Sequence, residues 1–470
     1  MRRPRILRLL LTLWACAPAA LLQTGALLQN GAAFAQSAAA PPSAADRAAV
    51  QIVAEDPAFA AVPFEKWLAE GDRGTFHWSA RVTAGELTAH QRLRARLELQ
   101  VDGGDVAGRR GNGYLVMLVE FEDADHRVYR THGSLDLSQV TDAAAKSNLI
   151  YTQDAFVRPG DYRVSVVMFD AKTGDHSALQ RKVRANALHN DPLPQSWDNL
   201  PAVEFAGIGA ADAPDIWYLP RVTGRLKLPL EARRPLQLEV VVNASPTAFG
   251  PGAARTGQVN NRGLADLLPA LKVLSQVAMR NGAIHVSFLD LTRQSIVFEQ
   301  NAAGDLDWPQ LRASLVQADP NKIDARSLAR RGGNAQFFVG QMRQRMNLAA
   351  DAATTASEPV RVGIVLSPPM AFDSGEDRHP IEAAPGSGGK LFYFRFHAVP
   401  PQTLQQPYAE PLRGGRRNAP IQTAPRPLSQ EPLDALENLV KPLQPRLFDI
   451  YTPEQFRKAL SAVLEDLSRM

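Results

Sequence analysis

LQLEVVVNASPTAFG, residues 236–250, decides how the C-terminal half is read. Leu236 to Val242 is an apolar run of strand length, and it breaks into Asn243, Ser245 and Thr247 where a strand would end. Downstream, Leu264, Leu267, Leu268, Leu271, Leu274 and Ala278 recur at helical spacing before Gly282. Pro269 fits that pattern best near the start of the regular helix, as a first-turn proline. Residues 283–291 and 295–300 read as two strands. Only Thr292-Arg293-Gln294 separates them, a hairpin length that excludes a helical crossover. Helices are predicted at 308–317 and about 334–348, and strands at 360–366, 391–398 and 447–450. Thr452-Pro453-Glu454-Gln455 then opens a last helix with a capping box, and Phe456, Leu460, Val463 and Leu467 form its buried stripe. Strands alternating with helices predict a doubly wound α/β domain over 236–470, its mostly parallel sheet carrying one antiparallel hairpin strand.

Upstream the period is two. Leu93, Ala95, Leu97 and Leu99 alternate with Arg94, Arg96, Glu98 and Gln100, as a half-buried strand requires. Tyr114 to Phe121 is a nearly continuous apolar strand, and further strands with turn signals follow at 160–183. This spacing predicts a β-sandwich over 73–186. Residues 187–235 hold Pro192, Pro194, Pro201, Pro214, Pro220, Pro229 and Pro235, too many for long helices or central strands. They read as an ordered connector pinned by Trp197, Phe205, Trp217 and Tyr218, with a strand around 223–230. Pro- and Gly-rich insertions are expected at about 373–389 and 400–445 of the C-terminal domain.

The first 35 residues bear on compartment. Arg2, Arg3, Arg5 and Arg8 precede a largely apolar stretch, and Ala33-Phe34-Ala35 before Gln36 is a small-x-small cleavage pattern. Residues 1–35 therefore read as a signal peptide, and 36–72 as a flexible tether with a short helix. Cys16, the single cysteine, leaves a lipoprotein signal open as a less favoured alternative, because Trp14 is too bulky for that pattern. The signal holds four arginines and no acid, so its removal takes the formal charge from +4 to zero. That argues against a nucleic-acid surface. A cysteine-free remainder excludes disulfides, thiolate nucleophiles and cysteine metal clusters. No later stretch reaches membrane-spanning length.

The stretch PGDYRVSVVMFDAKTGDHS, 159–177, looks like the last hairpin of immunoglobulin-like or fibronectin-like domains, with Tyr162 packing at a strand corner. Residues 240–250 resemble the strand end where von Willebrand factor A-type (VWA) domains carry the metal-binding pattern D-x-S-x-S. With FEKWLAEGD, THGSLDL, NDPLPQSWDNLPAVEF and the final FDIYTPEQFRKALSAVLEDL, the chain from about 50 to 470 resembles exported bacterial VWA-related proteins of acidobacterial type. The resemblance implies an immunoglobulin-like sandwich followed by a degenerate VWA-like domain, and it carries over no reaction.

In such a site Asp and Ser oxygens hold a hard divalent cation. Here Asn243 replaces the aspartate, Ser245 and Thr247 keep hydroxyls, and Ser367-Pro368-Pro369 stands after the later strand. Without carboxylates the loop is not expected to bind metal, and an Asn and Ser cap on the turn is favoured. The acids and histidine of FDSGEDRHPIE, 372–382, lack regular ligand spacing, and GSGGK, 386–390, fails the phosphate-loop pattern. No nucleophile motif occurs. The expectation is an exported, non-enzymatic protein-recognition module without metal or cofactor. Its partner is an unidentified protein, and its binding face is nominated at Asn243, Ser245, Thr247 and Ser367. The alternatives are a hydrolase with a spatially assembled site, or a structural envelope component.

Overall fold

The computed structural model describes residues 57–206, 219, 222–245, 262–302, 305–318, 333–348, 359–372, 380–381, 389–397 and 434–470. They fall into two compact units, Met1–Lys227 and Leu228–Met470.

The first unit holds two four-stranded sheets, antiparallel throughout. One has the order β1 (Trp78–Leu87), β2 (Leu93–Val101), β5 (Leu149–Val157), β8 (Val203–Phe205). The other has the order β4 (Val128–Asp136), β3 (Tyr114–Glu122), β6 (Gly160–Asp170), β7 (His176–Ala185). In β2 the predicted alternation holds, with Leu93, Ala95, Leu97 and Leu99 buried. The sheets meet face to face. Phe121 of β3 packs edge-on to Phe205 of β8, with centroids 5.7 Å apart. Gly133 of β4 lies so close to Tyr151 of β5 that a Cβ would stand 2.6 Å from the phenol oxygen. Tyr162 is buried, and its hydroxyl donates to the carbonyls of Arg158 (2.8 Å) and Ala202 (3.0 Å).

Part of the Pro-rich stretch belongs to this unit. β8 extends the first sheet, Trp197 donates its indole N–H to the Gln91 carbonyl at 2.9 Å, and Glu204 pairs with buried Arg92 at 2.7 Å.

The outer face of the β4-β3-β6-β7 sheet carries two short helices, α1 (Pro57–Ala60) and α2 (Phe64–Glu70). Phe59 and Phe64 pack on Leu118, Val167 and Ala178. Eleven helical residues cannot cover the whole face, so among the described residues part of it stays open; a further short helix, α3 (Gly103–Ala107), follows β2.

The second unit contains a two-stranded parallel pair, β9 (Leu228–Leu230) with β11 (Val277–Met279), and a six-stranded sheet. The larger sheet runs β13 (Ser295–Ala302), β12 (Gly282–Asp290), β10 (Leu236–Asn243), β14 (Val360–Ser367), β15 (Lys390–Phe396), β16 (Arg446–Ile450). β12 and β13 form the predicted antiparallel hairpin, and the other neighbours pair in parallel.

Strand pairing overturns the fold class read from the sequence. Among the described residues seven strand pairs are antiparallel and five parallel, so the chain is mostly antiparallel. A doubly wound, VWA-like domain needs a helical crossover after each parallel strand. No helix is described between β14 and β15. Among the described residues, α7 (Ala435–Val440) and a 3₁₀ turn stand between β15 and β16. The combination of an immunoglobulin-like sandwich with a doubly wound domain gives way to two antiparallel four-stranded sheets and one mixed sheet.

Four longer helices accompany the mixed sheet. α4 (Arg262–Leu274) runs through Pro269 instead of starting near it, forgoing the bond that the Pro269 nitrogen would have made to the preceding turn. α5 is Trp308–Gln317 and α6 is Asn334–Met346, whose Phe338, Met342 and Met346 pack in one cluster with Val241, Val365 and Tyr393. α8 (Pro453–Ser468) begins with the predicted capping box, the Thr452 hydroxyl accepting from the Gln455 N–H at 3.3 Å.

Candidate functional site

Three of the four nominated residues converge in the second unit. Asn243 ends β10, Ser367 ends the neighbouring β14, and Ser245 lies just past the first strand end. Parallel neighbours in this register bring their C-terminal ends together, which is why residues so far apart in sequence meet. Thr247 lies outside the described residues.

What converges is a closed hydrogen-bond set. The Asn243 amide donates to Ser367 Oγ at 2.8 Å and to Met370 Sδ at 3.4 Å, while its carbonyl accepts the Ser245 N–H at 3.1 Å. Ser367 Oγ donates in turn to the Pro368 carbonyl at 2.6 Å, and Ser245 Oγ accepts the Leu291 N–H at 2.8 Å. All three residues are buried. A hard cation would find neutral oxygens already engaged, so the donor set does not fit magnesium or calcium. Among the described residues no three His, Cys, Asp or Glu side chains are placed to hold a metal ion.

The acid bonded to the Met370 segment is spent on structure. Asp434, the N-cap of α7, accepts the N–H groups of Met370 (3.1 Å) and Leu436 (3.2 Å) through Oδ1 and the Tyr393 hydroxyl (2.7 Å) through Oδ2. Burial pushes its carboxyl above the ordinary range. Tyr393 is buried completely, which drives its hydroxyl far up as well. Arg395 links this group to Glu437 and Asp449, each at 2.6 Å. Its bond to Asp449 keeps the guanidinium charged.

A second polar chain crosses the same sheet. His285 Nδ1 lies 2.6 Å from Glu239 and its Nε2 3.2 Å from Glu299, which Arg345 of α6 contacts at 2.7 Å. Both ring nitrogens thus face carboxylates. A base poised for a serine needs one nitrogen on the nucleophile, so this arrangement does not do acyl-transfer chemistry. The two carboxylates also sit on opposite sides of the ring and cannot converge on one ion. The acidic loop at 373–379 lies outside the described residues.

The first unit offers a different kind of site. The open part of the β4-β3-β6-β7 face forms a groove of about 910 Å³ beside α1 and α2, within the usual range of binding recesses. Its apolar wall includes Ala58, Val62, Trp67, Val116 and Phe169. At one end stands Tyr114, 52% exposed, directly opposite Asp136 in the β3–β4 register. Sequence reading placed Tyr114 and Val116 in a strand but missed the groove. The available signal was their position on the alternate face to Leu115 and Met117, which point into the core.

No family model matches the chain, and no curated protein matches it. Among solved structures it overlaps a Bordetella pertussis protein assigned as ApaA, at 14% identity and a TM-score of 0.17, over 24% of this chain and 97% of that one. A structural-genomics target, SoR45, overlaps at 10% identity and a TM-score of 0.16, over 25% of this chain and 92% of that one. Likeness at that level carries no argument about fold or function, and it does not bear on the resemblance to exported VWA-related proteins. Among the described residues no helix is long and apolar enough to cross a membrane.

Proposed function

We propose that this chain is an exported, non-enzymatic recognition protein that meets a protein partner through the half-covered outer face of its β4-β3-β6-β7 sheet. The supporting observation is the groove itself: Trp67, Tyr114, Val116 and Phe169 line an open recess that α1 and α2 leave unfilled. Apolar recesses edged by a few polar groups are where ligands and peptides most often seat. Export rests on residues 1–35, with their arginines, apolar run and Ala-Phe-Ala site.

The nominated strand end supports the reading only by contrast. Asn243, Ser245 and Ser367 are buried and mutually bonded, so a partner could not reach them without opening the sheet end. Recognition is therefore assigned to the first unit, and no metal takes part. The non-enzymatic reading draws on the same chemistry, since His285 of the mixed sheet addresses two carboxylates and no hydroxyl.

Two measurements test it together. A phage-displayed random peptide library panned on the full chain should yield saturable ligands whose binding Val116→Asp abolishes. A broad fluorophosphonate hydrolase probe should leave the chain unlabelled. Stoichiometric labelling, or a library without saturable ligands, would contradict the reading.

A further inference from the structure

We infer that the groove takes an extended peptide whose arginine or lysine seats at the Tyr114–Asp136 end, with aliphatic side chains along the rest. The inference rests on the recognition reading above and names the chemistry of its partner.

Charge complementarity carries the argument. The groove's lining contains two carboxylates, Asp136 and Asp170, one histidine, His132, and no lysine or arginine. Asp170 is neutralised within the fold: it is fully buried, Asn112 donates to it at 2.7 Å, and Arg109 lies 3.5 Å away. Asp136 differs. It caps a 3₁₀ turn, its Oδ1 accepting the Ser138 N–H at 2.9 Å and the Ser138 hydroxyl at 2.6 Å. Those bonds hold its carboxyl below the usual range. They supply no positive charge.

The register adds the second half of a cation seat. Tyr114 and Asp136 are direct cross-strand partners, so both side chains rise from the same face within reach of a single group. A guanidinium laid over the exposed Tyr114 ring can bond the carboxylate at the same time. Beyond this end the wall is made of Ala58, Ala61, Val62, Trp67, Val116 and Phe169, which receives apolar side chains. The carboxylate at the Tyr114 end calls for a cation, which a neutral sugar chain does not carry, and this favours a peptide over a glycan.

The test uses the full chain and fluorescein-labelled Ala-Val-Arg-Val-Ala, compared by anisotropy with its citrulline counterpart, which has the same shape and no charge. The arginine peptide should bind about fivefold more tightly, the scale of an exposed ion pair combined with a cation–π contact. Asp136→Asn keeps the turn cap and should erase that preference, and Tyr114→Ala should weaken only the arginine peptide. Equal affinities, a preference that survives Asp136→Asn, or displacement by cellohexaose would overturn the inference. If library ligands depend on Val116 while arginine and citrulline bind alike, recognition by the groove stands and the cation seat fails.

Discussion

The Asn243 side-chain amide donates to Ser367 Oγ at 2.8 Å and ties together the ends of two adjacent parallel strands. A position that resembles a metal ligand in sequence is thus a buried bridge between strands.

Asn243→Asp should not create a metal site. It removes the donor to Ser367 and Met370 and places a carboxylate in a buried position, at a cost of about 1–3 kcal/mol. Urea unfolding should show the second unit weakened. Calorimetric titration with magnesium, manganese and calcium should show no binding below millimolar concentration, for the variant and the natural chain alike.

Glu204→Ala should weaken the first unit by about 3–5 kcal/mol at neutral pH, because it strands Arg92, which is 4% exposed. The pH dependence has a definite sign. Burial raises the Glu204 carboxyl, but Arg92 and the N–H groups of Thr223 and Gly224 outweigh that and hold it below 4.5. The stabilisation is therefore present above about pH 4.5 and is lost as pH falls through the lower folded value. Unfolding followed from pH 6 to pH 3 should fall more steeply for the natural chain than for the variant.

Tyr162→Phe removes the hydroxyl that bonds the carbonyls of Arg158 and Ala202, and because the Ala202 carbonyl also accepts the Arg158 N–H at 3.0 Å the change should cost only about 0.5–1.5 kcal/mol in the first unit. Unchanged urea unfolding would mean that the Arg158 carbonyl finds another partner.

Thr452→Ala should cost about 1 kcal/mol by opening the capping box of the last helix. Thr452→Ser, which keeps the hydroxyl, should restore most of it in thermal unfolding.

Features set by local chemistry could be read from the sequence, and long-range ones could not. The β2 alternation, the Thr452 cap and the hairpin at Thr292-Arg293-Gln294 each depend on a few adjacent residues, and all three are present. The meeting of Asn243, Ser245 and Ser367 was legible because strand ends in a parallel register collect on one side. Their internal satisfaction was not, since it depends on Leu291, Pro368 and Met370 arriving from other segments. The fold class failed on strand pairing, because apolar periodicity does not record which strands lie side by side or in which direction. The groove was missed because it arises from the β3–β4 register and from how far α1 and α2 reach across the sheet.

Amide hydrogen exchange of the full chain, with and without a library-selected peptide, is the most direct test of where recognition takes place. The account predicts added protection at residues 114–116 and 132–136, with none at 243–245 or 367. Protection confined to the strand ends of the second unit, with the groove unchanged, would contradict it.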